Sequence, residues 1–322
     1  MNTDEFEDGL LDVVVPDGLD GVRCDRALAM LTGRPRALIA AVIAGGSVTL
    51  DGAALKKAST PLVSGQRLVA TVPDVDDGWV EPDEAVAIDV VAESAHYVVV
   101  NKAPGQVVHP GAGQLSGTLV AGLLARYPEL DELRQRGLCE PSRPGIIHRL
   151  DKGTSGLIVV ARSATGYESL REQLAQRELE RIYLGLVEGH VAESHGVVDA
   201  PIGRSVRTPT MMAVRADGRW ARTSYEVVSR QDSPRTTLLR LKLETGRTHQ
   251  IRVHLASIGH PVVNDNRYGH RRESRLEPER VFLHATRLGF SDPESGQWTS
   301  FDSALPAELS ALVESDVAYG PS

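Results

Sequence analysis

The order of the apolar segments after residue 86 most limits the folds open to this chain. Six runs of β-type residues are predicted as strands, at 97–101, 157–161, 182–187, 221–229, 236–243 and 281–288. Amphipathic helices are predicted at 167–180 and 248–258, the second with Ile251, Leu255 and Ile258 on its apolar face. Because strands mostly follow strands without a regular helical crossover, the pattern predicts an α+β fold rather than a doubly wound one.

A smaller unit precedes this region. Residues 22–31 and 36–44 carry apolar residues at helical spacing, and residues 47–50 and 66–72 are typical of short strands between glycine-containing turns. We therefore predict four parts: an acidic tail at 1–14, a small α/β domain at 15–72, an acidic linker at 73–85 and a large domain at 86–322.

Charge is distributed unevenly along a chain of formal net charge -8. Residues 204–287 hold 17 Lys or Arg against eight acidic residues, and residues 21–57 hold six against two. Basic patches attract phosphate, so a nucleic-acid partner stays open despite the acidic total, as does a merely solvated arginine-rich surface. The 14 aromatic residues are too few for the broad stacking platforms of single-strand binders.

Two cysteines, Cys24 and Cys139, are too few for a disulfide framework or a closed cysteine zinc site. No apolar run approaches the roughly 18 residues of a membrane span. The acidic N-terminus lacks the basic region of a signal peptide. We expect a cytoplasmic protein that is not bound to a membrane.

Residues 145–161, GIIHRLDKGTSGLIVVA, are the most informative segment. His148, Arg149 and Asp151 precede a tight turn and a run of five apolar residues, so we expect Asp151 on a loop held between two core strands. Such loops commonly carry functional groups, although Asp151 could instead only cap the turn.

Three further segments place polar groups where predicted strands end. In LETGRTHQIRVHL, Arg247 lies at a strand-to-helix junction, from which an arginine can reach a carboxylate or a phosphate. In VVVNKAPGQVVHP, Lys102 and His109 flank a Pro-Gly turn. Tyr183 enters a strand directly after a helix, where a core role is the usual alternative.

Templates for other chemistries are not matched. His249 and His254 are five residues apart and do not share a helical face as metal-binding histidines of the H-E-x-x-H type do. The sequence has no phosphate-binding G-x-x-x-x-G-K-[ST] loop, no dinucleotide-binding G-x-G-x-x-G after a strand and no G-x-S-x-G elbow. What remains suits chemistry that uses one carboxylate, no metal and no cofactor.

Together these segments resemble the motifs of the RluA/RluD family of RNA pseudouridine synthases. The resemblance is carried by HRLDKGTSGLIVVA, VNKAPGQVVHP and TGRTHQIRVHLASIGHPVVNDNRYG, and residues 15–72 resemble the S4-like RNA-binding domain often fused ahead of that family. It implies an isomerase domain on a mixed, mainly antiparallel sheet, no cofactor and an RNA partner. Departures at Ala103, Arg181, Gly185 and Asn264 weaken the subfamily assignment and not the activity.

The resemblance also implies roles for single residues. Asp151 matches the catalytic aspartate that acts on the ribose, Tyr183 would stack on the uracil, and Arg247 would pair with the catalytic carboxylate. Arg149 would help to hold the place of the flipped-out nucleotide. The remaining expected contacts are with substrate, at Lys102, His109, His148, Thr248 and Gln250, and with RNA, at Arg23, Arg34, Arg36, Lys56 and Lys57.

The chemistry needs Asp151 ionised in a nearly closed pocket. The carboxylate either attacks C1′ or takes the C2′ proton, and the sequence leaves both routes open. Burial alone would raise the pKa of Asp151, so we predict that Arg247 lies within about 6 Å of it and lowers the pKa again.

The target is expected to be 23S ribosomal RNA of the large subunit or pre-ribosomal particles, with transfer RNA as the alternative. A non-catalytic RNA-binding assembly factor on the same fold, and a metal-dependent hydrolase using His249 and His254, are the other hypotheses. We expect a monomer.

Overall fold

The computed structural model describes residues 6–7, 10–32, 36–72, 80–111, 114–208, 210–269 and 276–313. The chain divides into two compact units, residues 1–79 and 80–322. None of the helices in these described ranges is long and apolar enough to cross a membrane.

The first unit is a five-stranded antiparallel sheet with two helices. Its elements are β1 (Phe6–Glu7), β2 (Leu10–Val14), α1 (Cys24–Thr32), α2 (Arg36–Ala44), β3 (Val48–Leu50), β4 (Ala53–Ala54) and β5 (Arg67–Thr71). The strand order is β1-β2-β5-β3-β4. The four elements predicted here are found within two residues of their predicted bounds.

The predicted end of the tail at residue 14 and the predicted end of the linker at residue 85 both need correction. Residues 10–14 are not a tail, because β2 pairs with β5 and buries Leu11 and Val13 on one face of the sheet. The alternating apolar pattern of this strand explains its place in the sheet. At the other boundary, Val80 is buried in the core of the second unit, and the Asp83 N–H donates to the Ala121 carbonyl. Residues 80–85 therefore belong to the second unit, and 73–79 lie outside the described residues.

The second unit is built on a nine-stranded sheet. Its strands are β6 (Val90–Glu93), β7 (Tyr97–Lys102), β8 (Ser155–Ala161), β9 (Glu180–Glu188), β10 (His195–Asp199), β13 (Arg222–Asp232), β14 (Arg235–Leu243), β15 (Leu283–Ser291) and β16 (Trp298–Asp302), with β11 (Ile202–Arg204) and β12 (Met212–Val214) forming a separate pair. The main path is β10-β13-β14-β9-β15-β8-β7-β6, and β16 pairs with β15. The β15–β8 pair is parallel and the other described pairs are antiparallel, which confirms the α+β class and the mixed, mainly antiparallel sheet.

The described residues of this unit form five helices beside the sheet, namely α3 (Leu119–Arg126), α4 (Leu130–Gln135), α5 (Ala164–Gln176), α6 (Gln250–Ser257) and α7 (Ala307–Ser310). The sequence analysis missed α3, α4 and α7. Helix α5 starts before its predicted bound because Ser163 caps it, and it ends at Arg177, which has left-handed backbone angles. Ile258 lies beyond the end of α6 and is 40% exposed, so its predicted place on the apolar face is wrong.

Strand β8 is the rigid base of the site. All seven of its residues are buried, with Ile158 and Val160 packing into one core cluster and Leu157 and Val159 into another. A strand packed on both faces holds the turn that precedes it in a defined position.

Candidate active site

A cleft of about 440 Å³ lies in the second unit. Its walls come from the segment that ends at Asp151, from Tyr183 on β9, and from the turn between β14 and α6. The cleft therefore brings together residues from all three of the sequence motifs quoted above.

Two glycines allow the Asp151 turn to lie against its neighbours. A Cβ on Gly153 would lie 1.9 Å from the Glu279 carbonyl oxygen. A Cβ on Gly156 would lie 2.3 Å from the Ala285 carbonyl oxygen, and the backbone of Gly156 has a φ of +113° that favours glycine. The turn is therefore close-packed against β15 and the segment before it. Core strands were expected on both sides of this turn. Strand β8 does follow it, but the segment before it forms only an isolated bridge, between Ile146 and Val160.

Lys102 supports this turn from within the protein, and its predicted contact with substrate is wrong. Its side chain is 1% exposed, and Nζ donates to the carbonyls of Ala103 at 2.8 Å, Gln106 at 2.9 Å and Lys152 at 3.3 Å. Burial lowers the pKa of Lys102 to about 7, and the charge of Asp151 opposes this shift. The lysine thus ties two loops together.

Arg280 is a second buried support that the sequence analysis missed. Its Nη1 donates to the Gly153 carbonyl and its Nη2 to the Ser155 hydroxyl, both at 2.8 Å. Its Nε pairs with Glu308 at 3.2 Å. The turn that carries Asp151 is therefore fixed by hydrogen bonds at both of its ends.

Replacing Lys102 by methionine should destabilise the protein by about 2–3 kcal/mol, because the three carbonyls lose their donor inside the protein. The free energy of unfolding in urea measures this. Lys152→Met is the matched control: the exposed Lys152 ammonium makes one surface ion pair with Glu279, which is worth under about 1 kcal/mol. Equal stability of the two variants would contradict the supporting role of Lys102.

Asp151 is held by Arg252, and the predicted pairing with Arg247 is wrong. Arg252 Nη1 donates to Asp151 Oδ2 at 3.0 Å. The same guanidinium donates from Nε and Nη2 to Asp265 at 2.7 and 2.9 Å, and Asp265 is 1% exposed. Hydrogen bonds and charge from the two carboxylates raise the pKa of Arg252 despite its burial. A cation held between two carboxylates keeps its third donor aimed at Asp151.

Arg247 lies before the helix that carries Arg252 and contacts a different part of the cleft wall. Its Nε donates to the Trp220 carbonyl at 3.0 Å, and no ion pair joins it to Asp151 among the described residues. His249, with a left-handed φ of 56°, turns the chain into α6, so Arg252 in the first turns of that helix faces the cleft.

Tyr183 lies in the cleft wall with its side chain 4% exposed. Burial raises its pKa to about 12; the charge of Arg181 opposes the rise and that of Asp151 adds to it. The phenol is therefore neutral, and its ring is an apolar surface beside Asp151. This placement agrees with the expected stacking role, which stays a prediction.

The predicted residues His148, His109 and Arg149 also line the cleft. His148 Nε2 accepts from the Val159 N–H at 3.2 Å, and burial, then the charge of Arg181, lowers its pKa to about 3. Burial, then the charges of Arg149 and Arg143, lowers the pKa of His109 to about 4. Both imidazoles are therefore neutral near pH 7.

His109 retains free hydrogen-bonding capacity. Its Nε2 lies 3.3 Å from Arg149 Nη1, and its buried Nδ1 has no partner among the described residues. The Thr154 hydroxyl, which also lines the cleft, is likewise buried without a partner there. These two groups and the exposed Arg149 are available to a polar ligand.

Gln250 is a structural residue, and its predicted contact with substrate is wrong. Its Oε1 accepts from Thr245 and from the Arg247 N–H, and its Nε2 donates to Arg222 O and Thr223 Oγ1. All of its hydrogen-bonding positions are used, so the amide has none left for a ligand. Thr248, by contrast, is exposed on the cleft wall, as a substrate contact requires.

The two histidines of the metal alternative lie in different networks. His254 Nδ1 bonds with Thr223 Oγ1 and its Nε2 with the Ala200 carbonyl, both at 2.9 Å. His249 Nδ1 lies 2.7 Å from the hydroxyl of Tyr268. Within the described ranges, no group of three or more His, Cys, Asp or Glu could hold a metal ion.

Four of the five predicted RNA-binding residues of the first unit are described by the structure, and these four lie on its surface. Arg23 and Arg36 are more than half exposed, and both pair with Asp25, at 2.9 and 2.7 Å. These pairs lower the pKa of Asp25 to about 2. Lys56 and Lys57 are exposed, and Arg34 lies outside the described residues.

Several known proteins are similar to this chain in sequence or in fold. The RNA pseudouridylate synthase family model matches residues 96–257. A Chloroflexus aurantiacus protein named uncharacterized RNA pseudouridine synthase is 44% identical over 306 residues, 94% of this chain and 92% of that protein. Ribosomal large subunit pseudouridine synthase D of Nitrosomonas europaea is 39% identical over 316 residues, 94% of this chain and 87% of that protein. The solved structure of human RNA pseudouridylate synthase domain containing 1 matches with a TM-score of 0.54 at 27% identity, over 70% of this chain and 86% of that one.

Proposed function

Because the chain belongs to the family of RNA pseudouridine synthases, which are isomerases, we propose that it converts specific uridines of large-subunit ribosomal RNA to pseudouridine with Asp151 as the group that acts on the ribose. The observation that carries the proposal is the ion pair of Asp151 with Arg252 beside Tyr183 in a cleft that can receive one nucleoside. Arg252 takes the pairing role that the sequence analysis gave to Arg247.

The reaction suits this set of groups. The N1–C1′ bond breaks, the uracil turns, and C5 joins C1′, so no redox step and no added group is required. The target uridine must leave its stack to reach Asp151, at a cost of a few kcal/mol. Stacking on the ring of Tyr183 and contacts to phosphate offset that cost.

The ribosomal target is supported by the relatives. Several proteins named ribosomal large subunit pseudouridine synthase D are 36–39% identical to this chain over more than nine tenths of its length. The basic segment 21–57 of the first unit, with exposed Arg23, Arg36, Lys56 and Lys57, offers further positive charge for RNA.

Arg247 has a different task in this proposal, in a cluster with Arg177, Arg219 and Trp220. Burial, then the charges of Arg219 and Arg177, lowers the pKa of Arg247, and the Arg177 guanidinium lies 4.3 Å from the Trp220 ring centroid. No carboxylate pairs with these three arginines among the described residues. Unpaired guanidinium groups beside a cleft favour RNA phosphates.

Arg247→Gln should therefore weaken RNA binding about 3- to 10-fold and reduce the slope of log Kd against log salt by about 0.7–0.9, the loss of one phosphate contact. The rate at saturating RNA should change little. Binding titrations at several salt concentrations measure both quantities. Arg240→Gln is the matched control, because Arg240 pairs with Glu226 away from the cleft. An unchanged slope in Arg247→Gln would contradict the phosphate contact.

The function is tested with purified protein on unmodified large-subunit ribosomal RNA and on transfer RNA, with pseudouridine mapped by carbodiimide modification and primer extension. Pseudouridine in ribosomal RNA, formed equally in the presence of EDTA, supports the proposal. Modification of transfer RNA alone would move the target. Loss of activity with chelator would favour the metal-dependent alternative. Absence of pseudouridine on both RNAs, and an unchanged map in RNA from cells that lack the protein, would leave a non-catalytic assembly factor.

A further inference from the structure

The guanidinium of Arg181 is a buried charge that pairs with no carboxylate of the described residues. Arg181 is 4% exposed and lines the cleft. Its Nε has no hydrogen-bond partner among the described residues, and Nη2 lies 3.5 Å from the Leu243 carbonyl, at the limit of a hydrogen bond. Burial lowers its pKa, but a guanidinium keeps its proton in proteins. Since an unpaired buried charge is costly, the arrangement points to an anion that is present at some stage of the reaction.

Arg181 lies on the same wall of the cleft as Tyr183. The two residues are two positions apart on β9, so both side chains leave the same face of the sheet, about 6.6–6.8 Å apart along the strand. A single pyrimidine ring with its exocyclic oxygens spans such a separation. On the other side, Gly246 leaves room for the guanidinium, because a Cβ there would lie 3.0 Å from Arg181 Nη1.

Asp151, Tyr183 and Arg181 all line the same cleft. A uridine whose ribose lies at Asp151 and whose base lies on Tyr183 presents an edge of the uracil toward Arg181. Both charges act on Tyr183: that of Arg181 opposes the rise in its pKa caused by burial, and that of Asp151 adds to it. The carboxylate and the cation are therefore both close enough to influence a group that lies on this ring.

Both chemical routes place a negative charge on the uracil. When the N1–C1′ bond breaks, its electron pair leaves with the base and is shared with O2 and O4. Asp151 becomes neutral at the same moment, either by forming an ester bond to C1′ or by taking the C2′ proton. C5 then bonds to C1′, Asp151 is released or returns the proton, C5 loses its proton and N1 gains one. The anion is therefore transient, and no outside reagent is needed.

We infer that Arg181 is a catalytic residue that donates a hydrogen bond to a carbonyl oxygen of the detached uracil and stabilises its negative charge until C5 joins C1′. This inference rests on the proposed isomerase function. A transient negative charge on the uracil explains why the buried Arg181 faces the cleft and does not pair with a carboxylate of the described residues. A donor aimed at charge that develops in the transition state is the arrangement that accelerates the bond-breaking step.

The first test compares Arg181→Met and Arg181→Lys at saturating RNA in single-turnover reactions. Loss of one such donor typically costs about 10²–10³ in rate, so Arg181→Met should slow pseudouridine formation by that factor and Arg181→Lys by about tenfold. The Kd for RNA should stay within about twofold of wild type, since the charge is absent before the bond breaks. Arg240→Met is the matched control and should keep the wild-type rate.

The second test changes the leaving group. Fluorine at C5 stabilises the uracil anion, so cleavage of a 5-fluorouridine target should depend less on Arg181. We expect Arg181→Met to slow loss of 5-fluorouridine, followed by nucleoside mass spectrometry, about tenfold less than it slows the reaction of uridine. If Arg181→Met does not fold, as judged by urea unfolding, the same ratio is measured with Arg181→Lys.

Each other outcome overturns the inference. Equal slowing of the two substrates, with lower stability, would make Arg181 a structural residue of the β9–β14 contact. A weaker Kd with a smaller salt slope would make it a phosphate contact. A wild-type protein that forms no pseudouridine would overturn the proposed function and this inference with it, whereas an active wild type with unaffected Arg181 variants would overturn the inference alone.

Discussion

Asp151→Asn is expected to lower the rate of pseudouridine formation about 10⁴-fold or more, the size of effect seen when a nucleophile or base is removed. The amide has nearly the same shape as the carboxylate but carries no charge, so it neither attacks C1′ nor accepts the C2′ proton. Arg252 keeps its two hydrogen bonds to Asp265, so the cleft should keep its form.

The measurement pairs single-turnover rates with RNA affinity. The Kd of Asp151→Asn should stay within about threefold of wild type, because the proposed phosphate contacts are made by arginines and not by this carboxylate. Asp232→Asn is the matched control, since that side chain is 94% exposed and makes a surface contact with His190. An Asp151→Asn protein with a tenth of the wild-type rate would show that another group acts on the ribose.

Arg252→Met is expected to cost about 3–5 kcal/mol of stability, because it leaves a buried carboxylate without its partner. Asp265 has no exposed side-chain area and takes two hydrogen bonds from this guanidinium. The same substitution removes the cation that holds Asp151, so we also expect a loss of activity comparable to that of Asp151→Asn. Urea unfolding and the single-turnover rate measure the two effects.

The double variant Arg252→Met/Asp265→Asn separates stability from catalysis. The neutral amide removes the unpaired charge, and its oxygen can still accept from the N–H groups of Arg267 and Tyr268. We expect the double variant to regain about 2 kcal/mol relative to Arg252→Met and to remain inactive, since Asp151 still lacks its cation. A wild-type stability for Arg252→Met, or recovery of activity in the double variant, would contradict this assignment.

Local pattern was sufficient for much of the fold. The six strands predicted in the large unit are all present, because runs of Val, Ile and Leu between turns have few alternatives in a folded chain. The helices α3 and α4 were missed because both are short: α3 is apolar at nearly every position and α4 has six residues, so neither presents a sustained amphipathic repeat.

The partners of charged side chains were harder to predict. Arg252 and Asp265 were missed although both lie within a recognised motif. For Arg252 the available signal was a charged residue between the apolar residues Ile251 and Val253 of a predicted helix. Lys102 and Gln250 were expected to face the substrate, yet both turn inward to satisfy backbone carbonyls and hydroxyls. Long side chains reach groups several ångströms from their Cα, so motif membership does not reveal their direction.

The sequence by itself determined the class of fold, the turn that carries Asp151 and the strand that carries Tyr183. The fold class and the strand depend on local periodicity, and the turn depends on glycines at places where two backbone segments approach closely. The tertiary structure decided which arginine pairs with Asp151, and within the described part of the chain it left Arg181 without a counter-ion. The physical reason is that Coulomb interactions and hydrogen bonds depend on distances between atoms, and those distances are set only when strands remote in sequence are brought together.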